Sequence, residues 1–292
     1  MKIAFLGSPP PAVPVLERLI DDGHEIVTVV TPPDRKRGRG GALVSTAVGS
    51  AAHQRGLRIV HRLSDCDFTA VDLAVIVAYG RIIPTALLEQ VPMINVHFSL
   101  LPRWRGAAPV ERAILAGDVE TGVCIMGVAP ELDTGPVYAR ASTPIGEKTA
   151  PELLEELSQM GARALSDVVK RFSDIAPEPQ VGTATYAEKL TAEDFVVSAE
   201  MRAEQASRVI RLGRTRLQVG TANLKVHRAS VGTAAVTPGA VVMENGVYLG
   251  FVDGCVSLEI VQPDGGRPMP ASEWCRGQRF EGNVAWSQVT RP

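Results

Sequence analysis

Apolar runs and amphipathic stretches alternate along the first two thirds of the chain. The runs at 2–7, 25–31 and 73–78 are typical of strands, and the last is apolar throughout, as in a strand buried on both faces. The stretch 13–22 repeats apolar residues at helical spacing. Strands that alternate with helices predict an α/β fold with an open parallel sheet, to which 94–99 adds another strand.

A long amphipathic helix is predicted from about Pro151 to Phe172, because apolar residues recur there every three to four positions. The following stretch, 173–182, is rich in proline and polar side chains, which is typical of an extended linker. We therefore expect a first domain at 1–176, a linker at 177–190 and a second domain at 191–292.

The second domain has a different pattern. A helix is predicted at 199–212, and the residues after it form short alternating runs that glycine and asparagine turns separate. These runs are 217–219, 224–227, 240–243, 247–251 and 256–261. Strands of this length and spacing predict a small β-barrel.

Composition is that of an ordinary globular protein, with 292 residues, of which 45% are hydrophobic and 21% charged. No apolar run approaches the roughly 20 residues needed to cross a bilayer. The first residues look like a strand and not a signal peptide, so we expect a cytoplasmic protein.

The cysteines stand singly, without a C-x-x-C pair, which argues against a zinc site or a disulfide framework. They are Cys66, Cys124, Cys255 and Cys275.

In an open parallel sheet, ligands bind beyond the carboxyl ends of the strands. Segments 7–8, 78–80 and 95–102 lie at such ends. The first of them continues as GSPP and lacks the G-x-G-x-x-G spacing, which argues against a nicotinamide-dinucleotide site. The sequence therefore predicts a Rossmann-like fold without that cofactor.

Asn95 and His97 are the candidate catalytic residues of this region. Residues two apart on a strand share a face, so an amide and an imidazole would point together into the predicted site. Such donors stabilise the negative oxygen of an acyl group under attack. A carboxylate beside the imidazole, for which Asp133 is the candidate, would favour the charged form of the ring and fix its tautomer. The spacing alone leaves a structural Asn-x-His pair and an ordinary Asp-Thr-Gly turn as alternatives.

Charge is uneven along a chain whose formal net charge is −2. Residues 34–41 place four cations beside one carboxylate in a glycine-rich loop, and residues 202–228 carry +6. Such clusters are the electrostatic pattern of phosphate contacts. The alternative is a solvated basic face that acidic residues balance elsewhere.

Several motifs resemble, in order and spacing, those of the folate-dependent formyltransferases. They are FLGSP at 5–9, AYG at 78–80, INVHFSLLPRWRG at 94–106, GDVETGV at 117–123, ELDTGP at 131–136 and YAEKL at 186–190. The resemblance is closest to members that formylate the methionine of initiator Met-tRNA. It implies a Rossmann-like catalytic domain, an OB-like C-terminal barrel, 10-formyltetrahydrofolate as formyl donor and no metal.

The resemblance also assigns roles to individual residues. It implies that Asn95 and His97 bind the oxygen of the tetrahedral intermediate and that Asp133 orients His97 and helps to move protons. The folate-contacting stretch is Ser99, Leu100, Leu101 and Pro102. The basic loop after the second strand would approach the tRNA acceptor stem, with Arg35, Arg37 and Arg39 as contacts.

Phe98 departs from the family pattern, because many relatives have glycine there, and its side chain could narrow the pocket.

Three alternatives to the expected function remain open. They are a nucleotide-sugar N-formyltransferase, a 10-formyltetrahydrofolate hydrolase and a non-catalytic RNA-binding module. We expect a monomer whose partners are folate and initiator Met-tRNA.

Overall fold

The computed structural model describes residues 1–37, 41–244, 246–278 and 284–289. They divide into two compact units. The first unit comprises Met1–Val110, Glu120–Pro144 and Leu154–Glu188, and the second comprises Glu111–Val119, Ile145–Leu153 and Lys189–Pro292. Among the described residues, none of the helices combines the length and the apolar character that crossing a membrane requires.

The elements up to residue 187 alternate mostly between strands and helices. The strands are β1 (Lys2–Gly7), β2 (Glu25–Val30), β3 (Arg35–Arg37), β4 (Ala42–Val44), β5 (Ile59–Val60), β6 (Leu73–Val77), β7 (Met93–His97), β8 (Arg105–Gly106), β9 (Glu120–Gly127), β10 (Val137–Pro144) and β11 (Tyr186–Ala187). The helices are α1 (Val13–Asp21), α2 (Ala47–Gln54), α3 (Thr85–Leu88), α4 (Pro109–Ala116) and α5 (Ala150–Lys170), with short 3-10 turns at Pro10–Ala12, Leu63–Asp65 and Phe68–Ala70.

The main sheet of the first unit has the order β10-β9-β7-β6-β1-β2-β5. The five strands from β7 to β5 are parallel, which confirms the predicted α/β class. Strands β9 and β10, which the sequence pattern did not reveal, extend the sheet in antiparallel pairing. Strand β7 ends at His97, two residues before the predicted end, so the residues from Phe98 onward begin a loop.

Helix α5 approaches one face of this sheet closely because it has glycine at position 161. A methyl group there would lie 2.7 Å from Cγ1 of Val96 and 3.8 Å from the ring of Phe98. Phe98 is 7% exposed and therefore packs on the α5 side of β7. Asn95 and His97 point to the opposite face. The ring of Phe98 lies near Gly161 of α5, and its effect on the width of the pocket stays a prediction.

The second unit contains a closed barrel of six strands, which confirms the predicted C-terminal barrel. The strands run in the order β13-β12-β18-β14-β15-β16, and pairing of β13 with β16 closes the barrel. The elements are α6 (Ala203–Ile210), β12 (Arg216–Val219), β13 (Ala222–Gly232), β14 (Ala240–Val242), β15 (Val247–Phe251), β16 (Gly254–Pro263), β17 (Met269–Pro270), α7 (Ala271–Arg276) and β18 (Val284–Gln288), after a 3-10 turn at Glu193–Phe195.

The barrel encloses a continuous apolar core. Leu217, Val226 and Leu249 are fully buried there, and the rings of Phe251 and Trp286 pack with centroids 5.0 Å apart. Aromatic pairs at this distance add to the stability that burial of their area provides.

The segment predicted as a linker is extended, and part of it hydrogen-bonds to the rest of the first unit. Glu178 pairs with Val137, and β11 pairs in parallel with β8. The backbone N–H groups of Ala107 and Ala108 both donate to the carbonyl of Ala187. Residues 178–187 therefore lie against the loop that follows β7.

Candidate active site

A polar pair interrupts an otherwise apolar face of the main sheet. Asn95 and His97 share this face because they are two apart on β7. Their cross-strand neighbours on β9 are Met126 and Cys124, and Ile76 of β6 lies beside Asn95. All three neighbours are buried. Polar groups among buried apolar neighbours are costly unless they have partners or a function.

His97 is 5% exposed, and both of its ring nitrogens face polar groups of the protein. Nε2 lies 2.9 Å from the backbone carbonyl oxygen of Trp104. A carbonyl oxygen can only accept, so Nε2 carries a hydrogen. Nδ1 lies 3.6 Å from Oδ2 of Asp133. The ring can therefore donate a hydrogen from Nδ1 only as the imidazolium.

The backbone holds Asp133 in a conformation that non-glycine residues seldom adopt, with φ at +52°. Its Oδ2 accepts a hydrogen bond of 2.8 Å from the backbone N–H of Gly106. Two positions later only glycine fits, because a methyl group on Gly135 would lie 1.8 Å from the carbonyl oxygen of Gly127. The tight turn brings the carboxylate to His97.

The amide of Asn95 differs from the other two groups. Its side chain is partly exposed, and within the described part of the chain it forms no side-chain hydrogen bond. An amide has two donor hydrogens and an oxygen acceptor. It is available to a ligand that enters beside His97.

The predicted folate-contacting stretch divides into buried and accessible side chains. Ser99 is fully buried, and its hydroxyl donates to the carbonyl of Arg103 at 2.6 Å. Leu101 is 3% exposed and packs with Cys124 in an apolar cluster. Leu100 and Pro102 are partly exposed. A ligand beside this loop can touch their side chains and the main chain, whereas Ser99 and Leu101 fix the loop's shape.

The basic loop begins as a two-stranded hairpin. Residues Arg35 to Arg37 form β3 and pair with β4, and Arg35 is exposed. Arg39 lies outside the described residues. The hairpin neighbour Leu43 is 67% exposed, so its side chain does not anchor the hairpin by apolar packing.

The second cationic segment is largely paired with carboxylates inside the second unit. Arg202 contacts Asp253 and Arg216 contacts Asp264, each at 2.7 Å, and the further pairs are Arg208 with Glu204 and Arg228 with Glu152. Arg211 is buried, which lowers the pKa of its guanidinium, and it donates to the carbonyl of Gly146. Much of the +6 of this segment is thus balanced by acids that are distant in sequence.

Some groups at the site had no signal in the sequence. The Trp104 carbonyl and the Gly106 N–H act through the backbone, whose role no side-chain pattern reports. Gln180 and Thr185 contact the same loops from the predicted linker. In the described part of the chain, no group of three or more His, Cys, Asp or Glu side chains is placed to hold a metal ion.

Comparison with known families matches both parts of the chain. Residues 1–169 match the formyl transferase family, and residues 189–279 match the formyl transferase C-terminal domain. The chain is 38% identical to a methionyl-tRNA formyltransferase from Thiobacillus denitrificans, over 95% of this chain and 97% of that protein. It is 39% identical to a methionyl-tRNA formyltransferase from Corynebacterium diphtheriae, over 97% and 99%.

Solved structures share the fold at low identity. HypX from Aquifex aeolicus, solved with tetrahydrofolic acid, superposes with a TM-score of 0.65 at 16% identity, over 100% of this chain and 51% of that one. An N-formyltransferase from Helicobacter canadensis, solved with folinic acid and dTDP-3-aminofucose, gives a TM-score of 0.63 at 17% identity, over 88% and 98%.

Proposed function

Because this chain belongs to the formyl transferase family, we propose that it transfers a formyl group from 10-formyltetrahydrofolate to the α-amine of methionine on initiator tRNA. Relatives that carry the name methionyl-tRNA formyltransferase match it along nearly their whole length. The observation that carries the proposal is the meeting of three side chains. His97 and Asp133 face each other at 3.6 Å, on the sheet face that carries Asn95, whose amide has no hydrogen-bond partner among the described residues.

Bound folate supplies the formyl carbon, attached to N10. Transfer requires the neutral amine to bond to that carbon, the carbon–N10 bond to break, and one proton to pass from the amine to N10. Asn95 donates a hydrogen bond to the formyl oxygen as negative charge develops there. Nε2 of His97 already donates to the carbonyl oxygen of Trp104. A hydrogen bond from His97 to the formyl oxygen therefore comes from Nδ1 of the imidazolium.

Asp133 has two tasks in this proposal. It orients the imidazole of His97, and its carboxylate helps to carry the proton that the amine loses. The Gly106 N–H fixes Oδ2 toward the imidazole, which prepares the geometry before substrate arrives. Leu100 and Pro102 offer accessible apolar surface to the folate, and Ser99 and Leu101 hold the loop that presents them.

The tRNA would be bound through phosphates. Arg35, Arg37 and Arg39 are the proposed contacts on the basic loop. On the second unit, which we propose to be OB-like, Arg214 and Lys225 are better candidates than the carboxylate-paired arginines. Arg214 is exposed and lies 4.7 Å from the ring centroid of Phe195. We further propose that the protein acts as a monomer in the cytoplasm.

The test is a formyl-transfer assay with 10-formyltetrahydrofolate and three acceptor conditions. These are initiator Met-tRNA, elongator Met-tRNA, and a dTDP-linked amino sugar, with formate release measured when no amine is present. We expect transfer to initiator Met-tRNA at a kcat/KM well above that of the other acceptors. Faster transfer to the amino sugar, or formate release at the same rate without acceptor, would contradict the proposal.

A further inference from the structure

Two residues with strained backbones contact His97 from opposite sides. Among the described residues, three non-glycine residues have positive φ, and two of them are Trp104 at +61° and Asp133 at +52°. Trp104 accepts the hydrogen bond from Nε2 of His97, and the carboxylate of Asp133 faces Nδ1. Residues persist in this region of backbone space only when their surroundings hold them there.

Thr185 holds the first of these residues. Its hydroxyl oxygen accepts a 2.9 Å hydrogen bond from the backbone N–H of Trp104. Its backbone N–H donates to the carbonyl of Pro102, and its carbonyl accepts from the N–H of Arg105. Thr185 therefore fixes the chain before, at and after Trp104. The direction of the Trp104 carbonyl, and with it the orientation of His97, depends on these bonds.

Gln180 holds Asp133, the second of these residues. Its Nε2 donates to the carbonyl oxygens of Asp133 at 2.8 Å and of Gly135 at 2.9 Å. Its Oε1 accepts from the guanidinium of Arg105 at 2.7 and 3.1 Å. One amide thus ties the turn that carries Asp133 to the loop that carries Trp104.

These inward contacts stand out against the rest of the segment. Val181 is 85% exposed, and Thr183 is exposed and makes no hydrogen bond through its side chain to any described residue. A stretch whose function was only to connect two domains would not need two side chains aimed at two loops. The exposed neighbours also provide controls in the same stretch of chain.

We propose that Thr185 and Gln180 are positioning residues for the formyl-transfer reaction. They hold Trp104 and the Asp133 turn so that His97 keeps its hydrogen on Nε2 and presents Nδ1 to Asp133. The proposal rests on the proposed function, because it assumes that His97 takes part in catalysis. Loss of either contact leaves the catalytic side chains present but poorly aligned.

The test uses a matched series in the full-length protein, namely Thr185→Val, Thr185→Ser and Thr183→Val. Valine matches threonine in shape but cannot accept the hydrogen bond from Trp104, whereas serine can. Thr183→Val makes the same chemical change at an exposed hydroxyl that bonds to none of the described residues. Misplacement of a catalytic group can cost up to about 10²-fold. We expect Thr185→Val to lower kcat about 10-fold or more, with the KM for folate and for Met-tRNA within about twofold.

A second readout does not depend on the activity. Nitrogen-15 NMR, recorded at a pH at which the imidazole is neutral, reports which ring nitrogen carries the single hydrogen, and the His97 signal is identified by its absence in His97→Ala. We expect the Nε2–H form in wild type, Thr185→Ser and Thr183→Val, and a mixture of tautomers in Thr185→Val. If the wild type transfers no formyl group, the proposed function fails, while the tautomer comparison still tests the positioning role.

Gln180→Ala and Gln180→Glu provide an independent pair if Thr185→Val does not fold. Glutamate keeps the acceptor for Arg105 but has no amide donor for Asp133 and Gly135, so both variants should lower kcat, and Val181→Ala should not. Unchanged kcat and tautomer in Thr185→Val and in Gln180→Ala would overturn the proposal. Equal losses in Thr185→Val and Thr183→Val would also overturn it, because the effect would then belong to the segment in general.

Discussion

The candidate active site and the surface of the second unit differ in how far their polar side chains are paired within the protein. At the site, the amide of Asn95 is unpaired among the described residues, and His97 and Asp133 stop 3.6 Å apart. On the second unit, arginines form ion pairs with carboxylates, as Arg216 does with Asp264 at 2.7 Å. The first arrangement leaves hydrogen-bonding capacity for a ligand, and the second uses that capacity within the protein.

This difference separates groups that act on substrate from groups that support the fold. A partly exposed amide without a partner among the described residues keeps its donors and its acceptor for a ligand. A paired surface arginine contributes little to stability and has little charge left for a partner. Substitutions on the two sides of this comparison should therefore have unlike effects.

His97→Ala should have the largest effect. Removal of one group that stabilises the developing negative charge costs about 10²–10³ in rate. We expect a loss of that size in the single-turnover rate of formyl transfer, with a circular dichroism spectrum like that of the wild type. His227→Ala is the matched control, because His227 contacts Gln262 on the barrel. Similar losses in both variants would show that the effect is not specific to the site.

Asp133→Asn keeps the size of the side chain but removes its charge, and we expect a loss of about 10² in kcat. Asparagine cannot take up the proton that the amine loses. A folded Asp133→Asn protein with a near wild-type kcat would make Asp133 a turn residue only.

Asp194→Asn tests a polar group that supports the fold of the second unit, and the measured quantity is the free energy of unfolding. The backbone N–H of Thr191, at 2.8 Å, and the guanidinium of Arg112 hold the pKa of Asp194 below its ordinary value, against the opposing effect of burial. A lowered folded-state pKa stabilises the protein above the ordinary carboxyl pKa, and this contribution is lost as pH falls through the folded-state value.

We therefore expect Asp194→Asn to lower the free energy of unfolding by about 2 kcal/mol at pH 7. The difference from wild type should shrink as pH falls below 4. Urea unfolding at several pH values measures both. Asp264→Asn, which breaks a more exposed pair, should cost no more than about 1 kcal/mol. An Asp194→Asn penalty that stays constant down to pH 2 would refute the assignment.

The smallest effect is expected for tRNA binding. Replacement of Arg35, Arg37 and Arg39 by alanine should weaken Met-tRNA binding about tenfold near physiological salt, and the slope against log salt should flatten by somewhat less than one unit per lost contact. Folate affinity should stay the same. Alanine at the paired Arg216 and Arg228 should leave the slope unchanged. If only the paired arginines alter the slope, the tRNA contacts lie on the second unit.

Local periodicity explains which parts of the fold the sequence could predict. Strands β1, β2 and β6 and the long helix α5 each carry a continuous apolar pattern, and their observed bounds lie within two residues of the predicted ones. Strand β9 overlaps the motif at 117–123 and β10 follows the motif at 131–136, and the mixed patterns of both strands gave no clear period. The sequence could not show that Arg202, Arg216 and Arg228 pair with carboxylates, because those partners come from outside 202–228.

At the site, too, the sequence could predict only what a local pattern determines. The strand period placed Asn95 and His97 on one face, because two residues on one strand need no further information. The contact with Asp133 was expected only from the family resemblance. The hydrogen bonds of Thr185 and Gln180 join backbone groups to side chains far along the chain. Such bonds leave no periodic trace in one sequence, so the structure was needed to find them.

A comparison of two asparagines tests the central claim, that an unpaired amide beside His97 binds the formyl oxygen. Asn223 has an amide paired with Asp264 at 3.3 Å, whereas the amide of Asn95 has no hydrogen-bond partner in the described part of the chain. The measurement is the single-turnover rate of formyl transfer to initiator Met-tRNA by Asn95→Ala and Asn223→Ala. We expect a fall of about 10²–10³ for Asn95→Ala and a wild-type rate for Asn223→Ala. A folded Asn95→Ala protein with a near wild-type rate would contradict the claim.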